Sequence, residues 1–196
     1  MKRIANLERK TKETDIKIEL NIDGEGNYSI DTPIGFLNHM LDLFAKHGLF
    51  DLKIKAKGDI KVDEHHIVED IGIALGQTFA NALKDKRGIN RYGFFILPMD
   101  ESLVTSAIDF SGRYAFNLGC QFNREKVGDL PTELVYDFWD AFAQNVKCSL
   151  FIKVENGRND HHKIEGIFKA VARALRVACA IDEGRENQIP STKGVL

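Results

Sequence analysis

Two short segments hold four of the chain's six histidines, and their spacing is where chemistry first becomes visible. His65-His66-Ile67-Val68-Glu69 recurs as His161-His162-Lys163-Ile164-Glu165, 96 residues further along. On a helix, residues three and four apart share a face, so Glu69 projects beside His65 and His66, and Glu165 beside His161 and His162. Each copy thus offers two imidazoles and a carboxylate near a helix start. Neighbouring helical residues point about 100° apart, so the two rings of one pair cannot close on a single ion without distortion. They are expected to serve two different ions, each completed by another chain segment. A nitrogen and oxygen donor set without thiolate suits Mn²⁺, Fe²⁺, Co²⁺ or Zn²⁺, and expanded coordination favours Mn²⁺ over structural zinc. One such segment alone reads equally as a solvated helix start whose glutamate answers the helix dipole. The second copy, at the equivalent place, turns the reading towards metal.

Elements must position these groups. Alternating Ile16, Ile18, Leu20 and Ile22 predict a half-buried strand, and Asp23 to Asn27 supplies a turn before Tyr28 to Ile30, predicting a hairpin. No helix opens after Gly24-Glu25-Gly26, so this is read as a turn and not as a phosphate loop. Thr32 and Pro33 open a helix with Ile34, Leu37, Leu41 and Phe44 on one face, ending near Gly48. A strand from Phe50 to Lys57 and a helix from His65 to Lys84 follow. The second half reads as strands Tyr92 to Leu97, Ser102 to Phe110 and Arg113 to Leu118, then a polar loop from Gln121 to Leu130. A helix from Thr132 to Asn145, a strand from Ser149 to Val154, a turn at Gly157 and a helix from His161 to Ala180 complete it. Each histidine pair therefore opens a helix after the same helix–strand order, which is the mark of duplication. The expected fold class is α+β: two similar half-domains, 1–90 and 91–196, each a mixed β-sheet with helices packed on one face. They should form one unit, because a half of this length is not expected to bury its core or complete a metal site alone.

Composition removes several classes of function. With 27 Lys+Arg against 29 Asp+Glu, the formal net charge is −2, so there is no electrostatic footprint for nucleic acid and a small-molecule ligand is expected. No run approaches the roughly 18 apolar residues of a membrane span. The charged start, Met1, Lys2 and Arg3, lacks the apolar segment of a signal peptide, and a cytoplasmic protein is expected. Cys120, Cys148 and Cys179 have no C-x-x-C spacing and read as reduced, mostly buried thiols.

Other polar residues fall where strands and turns would bring them near a site. Glu13 precedes the first strand, and Arg91 and Arg113 flank strands of the second half. The tail Ile189-Pro190-Ser191-Thr192-Lys193-Gly194 offers hydroxyls, amides and an ammonium. Arg, Lys and Ser suit a phosphate oxyanion, although scattered surface arginines are usually solvated. His47 either lies near substrate or is satisfied by carbonyls at its helix end.

An ordered series of motifs resembles the imidazoleglycerol-phosphate dehydratase family from end to end. These are R-K-T-K-E-T (Arg9 to Thr14), G-F-L-N-H-M-L (Gly35 to Leu41), H-H-I-V-E-D (His65 to Asp70) and R-Y-G (Arg91 to Gly93), followed by P-M-D-E (Pro98 to Glu101), S-G-R (Ser111 to Arg113), N-D-H-H-K-I-E (Asn159 to Glu165) and P-S-T-K-G (Pro190 to Gly194). The resemblance implies halves like domain 2 of ribosomal protein S5. It also implies dehydration of imidazole glycerol phosphate to imidazole acetol phosphate in histidine biosynthesis, with two Mn²⁺ ions per active site. In that scheme metal at both ring nitrogens stabilises an imidazolate and helps expel the hydroxyl through a diazafulvene-like intermediate. The implied ligands are His39, His65, His66, Glu69, His161, His162 and Glu165. Glu13 supplies acid/base chemistry, and His39, Glu69 and Glu165 count with it as the catalytic set. Arg91, Arg113, Ser191 and Lys193 match phosphate-binding positions, with Glu13 and His47 also facing substrate. The family forms trimers that assemble through manganese into a twenty-four-chain particle with active sites between subunits.

Two positions depart from the family pattern. Asn38 replaces the usual Asp before His39, which would change a carboxylate behind the ligand to an amide. Asp137 stands where a ligand His is usual, and since carboxylate is a good Mn²⁺ donor, Asp137 is expected to coordinate metal. Phe151 also replaces a common His and is expected to pack in a strand. Two rival readings are a dinuclear metal-dependent phosphate-ester hydrolase and a metal staple for oligomerisation without catalysis.

Overall fold

A computed structural model describes residues 3–196; Met1 and Lys2, part of the charged start, lie outside the described residues. The first half comprises β1 (Ile4–Lys10), β2 (Thr14–Asn21), β3 (Tyr28–Asp31), α1 (Gly35–Gly48), β4 (Asp51–Gly58) and α2 (His65–Leu83). The second comprises β5 (Tyr92–Met99), β6 (Ser102–Asp109), β7 (Ala115–Gly119), the short β8 (Lys126–Val127) and β9 (Leu130–Pro131), α3 (Leu134–Val146), β10 (Ser149–Asn156) and α4 (Asp160–Cys179). The sheets have orders β1-β2-β4-β3 and β5-β6-β10-β7, so the two halves share one topology. Each is a hairpin followed by a parallel strand–helix–strand unit and a closing helix.

The predicted hairpin between residues 16–22 and 28–30 does not form. β3 instead pairs parallel with β4, and β2 pairs antiparallel with both β1 and β4. The turn at Asp23–Asn27 is a crossing to the far edge, held where the Asp51 carboxylate accepts the backbone N–H of Glu25 and Asn27 at 2.9 and 3.1 Å. The true hairpin partner, β1, is an edge strand whose charged sequence hides its alternation; charges on an edge discourage unwanted pairing. In the predicted polar loop, Val127 and Leu130 are buried and β8 and β9 form a two-stranded ribbon.

Helices α1 and α2 cover one face of the first sheet, α3 and α4 one face of the second, and the two helix layers meet as α1 on α4 and α2 on α3. Gly72 and Gly76 allow the second contact: a Cβ on either would sit 2.5 and 2.6 Å from the carbonyl oxygens of Phe138 and Phe142. Buried residues of both halves form one continuous core. Phe44 and Phe79 of the first half touch Trp139 and Phe142 of the second at ring-centroid distances of 5.9 and 5.5 Å. The outer sheet faces differ sharply. The first carries Lys17, Glu19, Lys53, Lys55 and Lys57, whereas the second exposes Phe94, Ile96 and Phe151. Phe151 thus lies on an open apolar face and is not enclosed by strand packing.

Candidate metal centre

Both histidine pairs open helices, and the local reason is the same twice. The Asp63 carboxylate accepts the backbone N–H of His65 at 2.8 Å, and the Asn159 amide oxygen accepts that of His161 at 3.0 Å. Both satisfy a free amide of a first helical turn, Asn159 as the N-cap of α4 and Asp63 from the residue before the Glu64 N-cap of α2. Within each pair the rings diverge, with interplanar angles of 85° for His65 and His66 and 81° for His161 and His162. Only the first histidine of each pair lies within 4 Å of its helix's glutamate: His65 Nε2 is 3.9 Å from Glu69 Oε2, and His161 Nε2 is 3.1 Å from Glu165 Oε2.

Each cluster is completed by the opposite half. His39 on α1 brings Nε2 to 3.8 Å from Glu165 Oε2, and ligand atoms of His39, His161 and Glu165 all lie within 4.8 Å of one another. In the equivalent place, Asp137 on α3 brings Oδ2 to 3.9 Å from His65 Nδ1. Asp129, from the loop before α3, accepts the backbone N–H of Gly35 and Phe36 at 2.6 and 2.9 Å, anchoring the start of the helix that carries His39. Asn38 points elsewhere. Its amide accepts from the Thr32 N–H and donates to the Thr32 carbonyl, both at 3.1 Å, so it braces the turn before α1 and does not back the His39 ring. A carboxylate could not make the donating half of that bracket.

His66 and His162 face other partners. His66 Nδ1 lies 3.2 Å from Asp59 Oδ1 and 3.9 Å from Glu13 Oε2. His162 Nδ1 lies 2.6 Å from Glu101 Oε2, and its Nε2 lies 3.5 Å from Asp100 Oδ2. Hydrogen bonding to these carboxylates raises both imidazoles above the usual histidine range. Burial pushes Glu165 up, but Lys169, whose Nζ donates to Oε1 at 2.5 Å, together with His161 outweighs it and holds Glu165 below the usual range. A carboxylate held ionised among imidazoles is a donor set suited to a divalent cation.

Glu13 sits at the tip of the β1–β2 turn. Arg9 and Thr14, on either side of it, both bind the buried Asp70 carboxylate, Arg9 at 2.6 and 3.1 Å and Thr14 Oγ1 at 2.5 Å. Asp70 therefore ties the Glu13 turn to the helix bearing His66. At the other end of the chain, Arg91 donates Nε and a terminal nitrogen to Asp109 at 2.7 and 3.1 Å and its other terminal nitrogen to the Pro190 carbonyl at 2.9 Å. The tail continues past Ser191 and Lys193 until Leu196 lies against Gly112, next to Arg113. Arg91, Ser191 and the Ser111–Arg113 turn are thus gathered at one edge, with Lys193 and Arg113 exposed. His47 is half-buried near Lys169 and Arg173, and burial, then those two charges, keep it below the usual histidine range. Asp59, Asp70, Glu101 and Lys169 have no role in the motif reading. Glu101 and Asp70 stand inside matched motifs, but nothing in their spacing reveals a contact made by folding.

A family profile described as imidazoleglycerol-phosphate dehydratase matches residues 32–175. An imidazoleglycerol-phosphate dehydratase of Rhodopirellula baltica is 55% identical over 194 residues, covering 99% of this chain and 96% of the relative. One from Caldicellulosiruptor bescii is 53% identical over 99% of this chain and 98% of its own. Among solved structures, imidazoleglycerol-phosphate dehydratase of Staphylococcus aureus superimposes with a TM-score of 0.83 at 40% identity, covering 91% of this chain and 99% of that one. The structure from Pyrococcus furiosus gives 0.84 at 35% identity, covering 97% and 100%.

Proposed function

The chain belongs to the imidazoleglycerol-phosphate dehydratase family, and from that premise we propose how it dehydrates imidazole glycerol phosphate to imidazole acetol phosphate in histidine biosynthesis: with two Mn²⁺ ions per active site. The observation that carries this reading is the pair of clusters built across the two halves, His39 with His161 and Glu165, and Asp137 with His65 and Glu69. Nitrogen and carboxylate donors without sulfur fit Mn²⁺. His39, His65, Glu69, Asp137, His161 and Glu165 would hold it there, with His66 and His162 as further ligands. Such ions, when bound, supply Lewis acidity at the imidazole ring of the substrate.

The remaining residues bind, orient and move protons. Glu13, exposed at its turn and tethered through Asp70, is placed to take or return a proton at the reacting carbons. Arg113, Ser191, Lys193 and the N–H donors that Arg91 has left after its contacts form the phosphate end, where charge-assisted hydrogen bonds fix one end of the substrate. His47, kept below the usual histidine range, stands near Lys169, Arg173 and Glu165, where it can meet substrate beside that cluster.

We read the protein as a homo-oligomer of trimers assembling with metal into a twenty-four-chain particle. Two observations support this. The His66 and His162 rings diverge from the first histidine of each pair, and although Asp59 and Glu101 engage their Nδ1 atoms, both stay part-exposed where groups of another copy can reach them. The apolar outer face with Phe94, 71% exposed, and Ile96 suits burial against a further chain. A cytoplasmic location fits the thiols, since burial pushes Cys120 up to about 11 and Cys179 up to about 12 and leaves them unreactive. No helix among the described residues is long and apolar enough to cross a membrane.

A product assay tests the reading. With Mn²⁺ and imidazole glycerol phosphate, the expected product is a ketone that retains its phosphate. Release of inorganic phosphate in its place would mean the hydrolase alternative, and metal-dependent assembly without turnover would mean the staple.

A further inference from the structure

We propose that Glu101 and Asp59 are positioning residues that hold His162 and His66 in the tautomer protonated at Nδ1, leaving each Nε2 lone pair free for metal. This rests on the reading of both histidines as ligands. A neutral imidazole carries one N–H and one lone pair, and only the bare nitrogen can coordinate. A carboxylate can only accept, so the nitrogen hydrogen-bonded to it must carry the proton; Asp100 Oδ2, 3.5 Å from His162 Nε2, is the more distant carboxylate and makes the weaker claim on that ring.

The contacts are direct. Glu101 Oε2 lies 2.6 Å from His162 Nδ1, while Oε1 accepts the backbone N–H of Asn159 at 2.8 Å and of Arg158 at 3.2 Å. Those amides lead into α4, so the carboxylate is anchored to the start of the helix whose histidine it orients. Asp59 places Oδ1 and Oδ2 at 3.2 and 3.4 Å from His66 Nδ1.

The two contacts differ in where they arise. Asp59 follows β4, whereas Glu101 stands in the turn between β5 and β6. The matching turn of the first half, between β1 and β2, carries Glu13, whose Oε2 lies 3.9 Å from His66 Nδ1. Both halves thus turn a glutamate of their first hairpin towards the second histidine of the pair, and in the first half Asp59 makes the closer contact at 3.2 Å.

Manganese titration followed by the EPR signal of free Mn²⁺, together with melting of the metal-free protein, tests the proposal. Glu101→Gln can keep an oxygen on the Asn159 amide but turns an NH₂ towards His162, which favours the tautomer protonated at Nε2. We expect one class of sites to weaken by roughly 10- to 100-fold, with the other class unchanged. Asp59→Asn should weaken the class that contains His66. Glu101→Ala, which leaves both tautomers open, should lose less affinity than Glu101→Gln. Unchanged affinity in both amide variants overturns the proposal, as does a Glu101→Ala protein that binds more weakly than Glu101→Gln and melts lower. His66→Ala and His162→Ala separate the premise: if each retains full Mn²⁺ binding, the ligand reading itself falls.

Discussion

His65 Nδ1 lies 3.9 Å from Asp137 Oδ2, so a histidine of the first half meets an aspartate of the second across the packed surface of α2 and α3. This puts a carboxylate where its family usually has an imidazole, facing a ring that also faces Glu69. Asp137→Ala should weaken Mn²⁺ at this cluster by about tenfold or more, while the cluster of His39, His161 and Glu165 keeps its affinity. Metal titration reads both; unchanged affinity at the two sites would remove Asp137 from the ligand set.

Asp70 is nearly buried, and its carboxylate takes up both Arg9 and Thr14. Removing Asp70 leaves the part-exposed Arg9 and the Thr14 hydroxyl without their acceptor, so Asp70→Ala should cost roughly 1–3 kcal/mol in denaturant unfolding. It should also free the Glu13 turn. Turnover is then expected to fall more than Mn²⁺ affinity, and a variant that unfolds at wild-type denaturant concentration with wild-type turnover would contradict the tether.

The Glu101–His162 pair makes the metal-free protein pH-dependent in two directions. Glu101 is depressed from 4.5 to about 2, so its contribution is present above pH 4.5 and lost as pH falls from there towards 2. His162 is raised above 6.5, so its contribution is present below pH 6.5 and lost as pH rises through its folded value. Melting of the metal-free protein should show a contribution between about pH 4.5 and 6.5 that Glu101→Gln lacks. Identical pH profiles for the two proteins would dismiss it.

Chelation should dismantle the large assembly and abolish activity together, because the proposed metal groups join the halves of a chain and, through His66 and His162, neighbouring chains. Light scattering measures the first and the product assay the second. Full-size particles that persist after metal is stripped would show that assembly does not depend on the ions.

Much of this was legible in the chain. Periodicity placed all four helices within a few residues, because their buried faces repeat every three to four residues over long stretches. The doubled His-His-x-x-Glu segment announced both histidine–carboxylate clusters, since histidine is scarce and its spacing on a helix is rigid. β1 was missed because an edge strand rich in Asn, Glu, Arg and Lys buries too little to alternate clearly. The partner of β3 was misread because a turn rich in Gly and Asp looks alike whether the chain doubles back or crosses to another edge.

What the sequence by itself determined was the duplication, the donor types and the helices that present them, all of which depend on residues near one another along the chain. Only the tertiary structure decided that each cluster draws its third side chain from the other half, that Asn38 braces a turn, that Asp70 tethers the Glu13 turn, and that Asp59 and Glu101 face the second histidine of each pair. Those pairings join residues from 6 to 126 positions apart in the sequence. The contacts between the halves need glycines such as Gly72, which let α2 and α3 close on one another, and no local pattern carries a distance that packing alone sets.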